Sequence, residues 1–339
     1  MRALRLERPG HFELVDIAPP PAPGPGEVLV GVRRIGVCGT DLHAFAGNQP
    51  FFSYPRVLGH ELGVEVLAAG EGSGDLAPGD RCSVEPYMNC GRCVACRRGK
   101  PNCCVGLKVL GVHADGGMTE TIVVPARKLH RSRTLSFDQL ALVETLAIGC
   151  HAVNRAAPAA GEFVLVAGAG PIGLSVIQFA VEAGCRVIVL DVNESRLSFC
   201  GRQMGAAHLV DGSREDPVEA LARITGGEMP TTVFDATGSP RSMAASFLYP
   251  AHGGTLAFVG LFQGEVSFND PNFHRRELTL LACRNALPGD FDRIIALVEA
   301  GRIDTSPWIT HRAALAEAAG SFPSWALPGS GVIKAMISG

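Results

Sequence analysis

A chain of 339 residues is longer than one hydrophobic core usually serves, so two domains are expected. Its 47 % hydrophobic content and lack of low-complexity tracts exclude a disordered protein. A formal net charge of −3 gives no reason to expect nucleic acid or a membrane surface as partner.

The first residues, MRALRLERPGHFELVD, lack the continuous apolar stretch of a signal peptide, so a soluble, cytoplasmic protein is expected. Residues 1–150 read as irregular and strand-rich. Proline and glycine punctuate them (APPPAPGPGE, GEGSGDLAPGD) between β-branched runs such as EVLVGVRRIGV and TETIVVP. From residue 162 the pattern changes. EFVLVA is a buried-strand run, GAGPIG a turn, and an apolar-periodic helix follows to Ala183. The stretch from Phe163 to Val181 carries no charge, but its glycines and Pro171 suit strand, turn and helix better than a membrane span.

RVIVLD is the next strand and ESRLSFCGRQMG the next helix. TTVFDA, GTLAFVG and ELTLLAC are further strands, with helical stretches near 217–225 and 240–250. Strands alternating with helices predict a parallel sheet covered on both faces. After about 285 the pattern breaks again: FDRIIALVEAG is a helix, and VIKAMISG ends in a strand. The predicted class is α/β. A doubly wound Rossmann domain at 151–284 interrupts a first domain formed by 1–150 and 285–339.

Gly168, Gly170 and Gly173 form a G-x-G-x-x-G directly after a strand run and at the start of a helix, the context that the motif requires. Gly168 permits the tight turn, Gly170 the approach of a pyrophosphate, and Gly173 close packing of helix on strand. The N–H groups of the helix start then face the phosphates. Pro171 and Ile172 within the motif, and Thr237 and Gly238 after TTVFDA, are included among the expected cofactor contacts. Asp191 ends the second strand, 18 residues after Gly173. A carboxylate there accepts from ribose hydroxyls and repels a 2′-phosphate, which favours NAD over NADP. Arg196 is a nearby cation that softens this repulsion.

Four of the eleven cysteines, Cys90, Cys93, Cys96 and Cys104, have the spacing C-x2-C-x2-C-x7-C in a loop-like segment. Four thiolates close a tetrahedral zinc shell and leave no position for substrate, which points to a structural metal. A disulfide cluster or an iron–sulfur cluster would use the same residues, and Cys103 competes with Cys104 for the fourth place. A second set is dispersed: Cys38 in GVCGTDLH, His60 and Glu61 in VLGHELG, Glu144 in LVETLAIG. Singly, each has a bland reading as a core thiol, loop histidine or surface carboxylate. Together with a nucleotide fold they form a mixed S, N and O set suited to a catalytic zinc.

These stretches, with GEVLV, YPRVLGHELG, CGRCVACRRGKPNCC, LGVHADGG, ETLAIG, VAGAGPIG and GVIK, resemble the zinc-containing medium-chain dehydrogenase/reductase (alcohol dehydrogenase) superfamily over the whole chain. Within it the chain is most similar to the polyol, threonine and sugar-acid branch, nearest to galactonate-type oxidoreductases. The resemblance implies a β-rich, GroES-like catalytic domain beside the Rossmann domain, and a homo-dimer or homo-tetramer. It implies two zinc ions per chain and NAD. Cys38, His60 and either Glu61 or Glu144 hold the catalytic ion, Thr40 and His43 carry the proton out, and Cys90, Cys93, Cys96 and Cys104 hold the structural ion. Two departures stand out. Val64 replaces the usual glycine, with Gly63 one place early, and Thr145 follows Glu144 where the family has proline.

The expected reaction oxidises a secondary alcohol to a ketone with NAD as acceptor. Polar residues His43, Asn48, Glu120, Arg284 and Asn285 suggest a hydroxylated small molecule, a sugar acid such as an aldonate or a polyol. Arg284 suits a carboxylate held bidentately, although it suits a domain bridge or a cofactor phosphate as well. L-Threonine or another amino alcohol is the alternative substrate, and a silent zinc- and NAD-binding regulator the alternative class. Presence of both Cys38 and His60 argues against the regulator.

Overall fold

In the strand Glu27–Val37 the apolar positions are buried almost throughout, because three other segments compete for its edges. Glu61–Ala69 pairs along one edge from Val28 to Gly36. On the other, Thr121–Pro125 takes residues 27–31 and Lys334–Ser338 takes residues 34–37. Register shifts at Leu29/Val30 and Val32/Arg34 bend the strand so that both partners fit. The described residues of this computed structural model are 1–49, 52–327 and 329–339.

Two compact units emerge from the contacts, Met1–Thr145 with Leu287–Gly339, and Leu146–Ala286. The sequence reading put these limits at 150/151 and 284/285. The first division falls inside the helix Phe137–Ala156, which no hydrophobicity pattern marks as a break. In the first unit the sheet continues through Arg81–Val84 to Leu129–Ser132 on one side and through Lys334–Ser338 to Ile309–Ala314 on the other. Leu4, Val28, Val30, Ile35, Leu62, Val64 and Phe322 are core side chains of this β-rich unit.

The second unit has the predicted doubly wound fold. Six parallel strands lie in the order His208–Asp211, Arg186–Asp191, Phe163–Ala167, Thr232–Asp235, Thr255–Phe258, Thr279–Ala282. Sequence order within the sheet is therefore 3-2-1-4-5-6, the dinucleotide-binding order. His208–Asp211, four residues long, was not anticipated. The helix expected over 240–250 ends at Ala245 and continues as a 3₁₀ turn, Ser246–Leu248. Among the described residues no helix is long and apolar enough to cross a membrane.

The shifted glycine of VLGHELG has a packing reason. A Cβ on Gly63 would lie 2.2 Å from Phe137 O, so this strand runs directly against the first turn of the helix that carries Glu144. Val64 beside it is fully buried in the core. Gly63→Ala is expected to destabilise the first unit by about 1–3 kcal/mol through overpacking. Scanning calorimetry checks this, and an unchanged unfolding midpoint would mean that strand and helix do not approach this closely in solution.

Candidate metal and nucleotide sites

Cys38 directly follows the long strand and caps the helix Gly39–Ala46, placing Thr40 and His43 three residues apart on one helix face. His60 directly precedes the neighbouring strand Glu61–Ala69, whose first residue, Glu61, pairs with Gly36. Ligand atoms of Cys38, His60 and Glu61 all lie within 4.8 Å of one another. His60 is 5 % exposed and Glu61 1 %, so this is an interior cluster of a thiol, an imidazole and a carboxylate. Glu144, also buried, is outside that tight set; its Oε1 accepts a 2.5 Å hydrogen bond from Tyr87 Oη.

Asp41 joins the cluster, although the sequence reading passed over it. Its Oδ2 accepts from Cys38 N at 2.9 Å, and its Oδ1 faces His60 Nδ1 at 3.8 Å. The second distance is too long for a hydrogen bond and close enough for an ion pair. A carboxylate facing one ring nitrogen is how ligating histidines are commonly oriented. The signal was present as C-x-x-D at a helix start. Lys334, quoted only as part of GVIK, was missed as well: its Nζ lies 2.6 and 2.7 Å from the two Glu61 oxygens.

The electrostatics favour a cation in this cluster. Burial pushes His60 toward neutrality, but the charges of Cys38 and Asp41 outweigh it and hold the ring well above the ordinary imidazole range. Burial likewise works against the Lys334 ammonium, while Glu61 and Cys38 hold it above the usual lysine range. Burial raises the Glu144 carboxyl, although the His60 charge opposes this. Burial and the Glu144 charge raise Tyr87, making it the donor of their shared bond. Buried Nδ1 of His60 and Oδ1 of Asp41 have no hydrogen-bond partner, so the ring orientation rests on charge. Sulfur, nitrogen and oxygen donors in this number fit a zinc ion that keeps a position for an exchangeable ligand.

Beyond the helix start, His43 is exposed, and its Nδ1 lies 3.0 Å from Asn48 Oδ1. Thr40 is half-buried. Glu120 is an outer surface residue whose carboxylate bonds Arg2 N at 3.2 Å and Arg2 Nε at 3.3 Å.

The second cysteine array is a separate construction. Ligand atoms of Cys90, Cys93, Cys96 and Cys104 lie within 4.8 Å of one another, whereas Cys103 is exposed and outside the set. All eleven cysteines are free thiols. The 3.5 Å between Cys93 Sγ and Cys96 Sγ is far beyond a disulfide bond. Backbone N–H groups of Cys96 and Val105 bring the Cys93 thiol down to about 6. Those of Arg92 and Cys93 lower Cys90. Cys104 is shifted the other way: the Cys90 amide lowers it, but burial and the neighbouring Cys90 and Cys96 side chains leave it raised. Four sulfurs converging here, two of them favoured as thiolates, fit a four-sulfur zinc site.

In the second unit, the turn between Phe163–Ala167 and the helix Pro171–Glu182 carries the glycine motif. Gly168 has φ +93°, and a Cβ on Gly173 would fall 1.7 Å from Gly168 O, so neither position accepts a side chain. Gly170 caps the helix; the nearest atom to a Cβ there would be Arg196 Nη1, at 3.9 Å. Its face is thus open to a phosphate, as the motif demands. Pro171 and Ile172 are the first helical residues. Asp191 Oδ2 accepts from Ala169 N at 2.6 Å, and Oδ1 from Val192 N and Asn193 N. Thr237 donates to Asp235 Oδ1, and Gly238, at φ +62°, leaves room for Leu261 O. Arg284 is exposed, and Asn285 has the left-handed φ of +51°, both just past the last sheet strand.

Comparison with known proteins agrees with both halves of this arrangement. The alcohol dehydrogenase GroES-like domain matches residues 24–134, and the zinc-binding dehydrogenase family matches residues 171–300. L-galactonate-5-dehydrogenase of Escherichia coli (strain K12) is 42 % identical over 318 residues, covering 94 % of this chain and 93 % of that protein. An alcohol dehydrogenase, rspB, from E. coli CFT073 in complex with NADH superposes with a TM-score of 0.93 at 30 % identity, over 100 % of this chain and 99 % of that one. A putative zinc-binding dehydrogenase from Sinorhizobium meliloti 1021 bound to NADP gives 0.92 at 32 %, with the same coverage. The chain belongs to the zinc-binding alcohol dehydrogenase family, in its sugar-acid and polyol branch, and is an alcohol/polyol dehydrogenase.

Proposed function

We propose that this enzyme oxidises a secondary alcohol of a sugar acid, an aldonate first and a polyol second, to the ketone with NAD as acceptor. The observation that carries the reading is the convergence of half-buried Cys38 with buried His60 and Glu61 in one donor set. Likeness to L-galactonate-5-dehydrogenase supplies the substrate class.

Cys38 and His60 would hold the catalytic zinc with one of the glutamates, Glu61 or Glu144. Bound there, zinc supplies Lewis acidity toward a substrate hydroxyl, and bound NAD supplies the hydride acceptor. Asp41 orients the His60 ring, and Tyr87 fixes the Glu144 carboxylate by donating to it. The proton leaves through Thr40, whose hydroxyl both accepts and donates, to His43 at the surface. With Nδ1 of His43 donating to Asn48 Oδ1, Nε2 is the ring's acceptor. Cys90, Cys93, Cys96 and Cys104 would hold a structural zinc. The Asp191 carboxylate and the Gly168–Gly173 turn would bind the adenosine and pyrophosphate of NAD, with Arg196, Thr237 and Gly238 beside them. Arg284 and Asn285 are assigned to the substrate, the guanidinium gripping its carboxylate.

Four outcomes are expected. Zinc-verified protein forms NADH with aldonates in a panel that also contains polyols, amino alcohols and simple alcohols. Cys38→Ser or His60→Ala abolishes this turnover while NAD still binds by calorimetry, and retained activity would refute the metal assignment. Asp191→Ala narrows the preference for NAD over NADP, read as the ratio of kcat/KM values; an unchanged ratio would remove Asp191 as selector. Cys104→Ser loses one zinc equivalent by metal analysis and lowers the unfolding temperature, whereas Cys103→Ser does neither. Equal losses in the two variants would mean that either sulfur serves.

A further inference from the structure

An ammonium has three N–H donors, and each of those on Lys334 has an acceptor: Val37 O at 3.2 Å, Glu61 Oε1 at 2.6 Å and Glu61 Oε2 at 2.7 Å. Both side chains are 1 % exposed. The resting place of the carboxylate is built from the other side as well. A Cβ on Gly36 would fall 2.0 Å from Glu61 Oε2, so the long strand omits a side chain where the carboxylate lies across it. The same carboxylate keeps an oxygen within 4.8 Å of the Cys38 and His60 ligand atoms. Glu61 therefore stands between two cation positions, the ammonium and the centre of the donor set. Glu144, by contrast, accepts a hydrogen bond from a neutral donor, Tyr87.

We propose that Lys334 is the positioning residue that decides whether Glu61 is a metal ligand. Paired with Lys334, the carboxylate stays off the ion and a coordination position is left for the substrate hydroxyl. Deprived of Lys334, it turns to the remaining cation and fills that position. This rests on the reading above, in which Cys38 and His60 hold the catalytic metal. A purely structural pair, gluing the last strand to the sheet, would affect stability and leave ligand exchange alone.

The test uses full-length protein loaded with two equivalents of cobalt(II), with imidazole as exchangeable probe and the visible d–d bands as readout. In the wild type, imidazole shifts the bands. Lys334→Met retains both metals but binds imidazole at least about tenfold more weakly. Lys334→Met/Glu61→Gln recovers the wild-type shift, because the competing carboxylate is gone. Unchanged imidazole affinity in Lys334→Met with both metals bound overturns the proposal, as does failure of the double variant to recover. If Lys334→Met does not fold, a crystal structure of the zinc-loaded wild type decides. Glu61 oxygens beyond about 3 Å from the ion with the Lys334 pair intact support the proposal, and a Glu61 oxygen at about 2.0–2.2 Å overturns it. Failure of the underlying reading looks different: wild-type protein would take up cobalt only at the four cysteines and show no band that responds to imidazole.

Discussion

A carboxylate removed from water needs a cation, and in this protein the cation for Glu61 comes from the far end of the chain. Removing one partner of such a buried pair costs about 3–5 kcal/mol, because the other is left as an uncompensated charge. The first candidate metal cluster is therefore not electrostatically complete until Lys334–Ser338 returns to the sheet and pairs with residues 34–37 of the long strand. That return also explains why the first unit is discontinuous in sequence. Its N-terminal part supplies Cys38, Asp41, His60 and Glu61, and its C-terminal part supplies the ammonium among them.

The two cysteine-containing clusters illustrate two ways of building a candidate metal site. Cys90, Cys93, Cys96 and Cys104 occupy one short segment, and local backbone amides lower the thiols they face. Little tertiary structure is required, and a closed shell follows from four like ligands. The other cluster is assembled from a strand end, a strand start and a helix. It is surrounded by buried acids and one buried base, so its chemistry is tunable by residues that need not touch a metal. A reactive centre gains from the second kind of construction, because orientation and charge are set by separate groups.

Asp191 shows a comparable economy in the nucleotide-binding unit. Its carboxylate bonds Ala169 N in the glycine turn as well as Val192 N and Asn193 N beyond its own strand. It thereby ties the ends of two neighbouring parallel strands together at the edge where phosphates bind in this fold. A residue expected only to select the cofactor is also part of the frame that shapes the turn.

The sequence by itself determined the fold class and marked the glycine turn and the candidates for both ligand pools. Each of these is written in local physics: strand and helix periodicity, a turn that only glycine permits, and cysteines spaced for one metal. What sequence spacing left open was Cys104 against Cys103 and Glu61 against Glu144. The folded chain puts Cys104 in the sulfur set with Cys103 outside, and Glu61 in the tight cluster with Glu144 on Tyr87. Tyr87 and Lys334 went unread for a related reason. Lys334 meets Glu61 across 273 residues of chain, and Tyr87 meets Glu144 across 57. Such pairs depend on the register of strands brought together only by folding. A shift of one residue would turn the side chains to the opposite face, and nothing in the local spacing records which register wins.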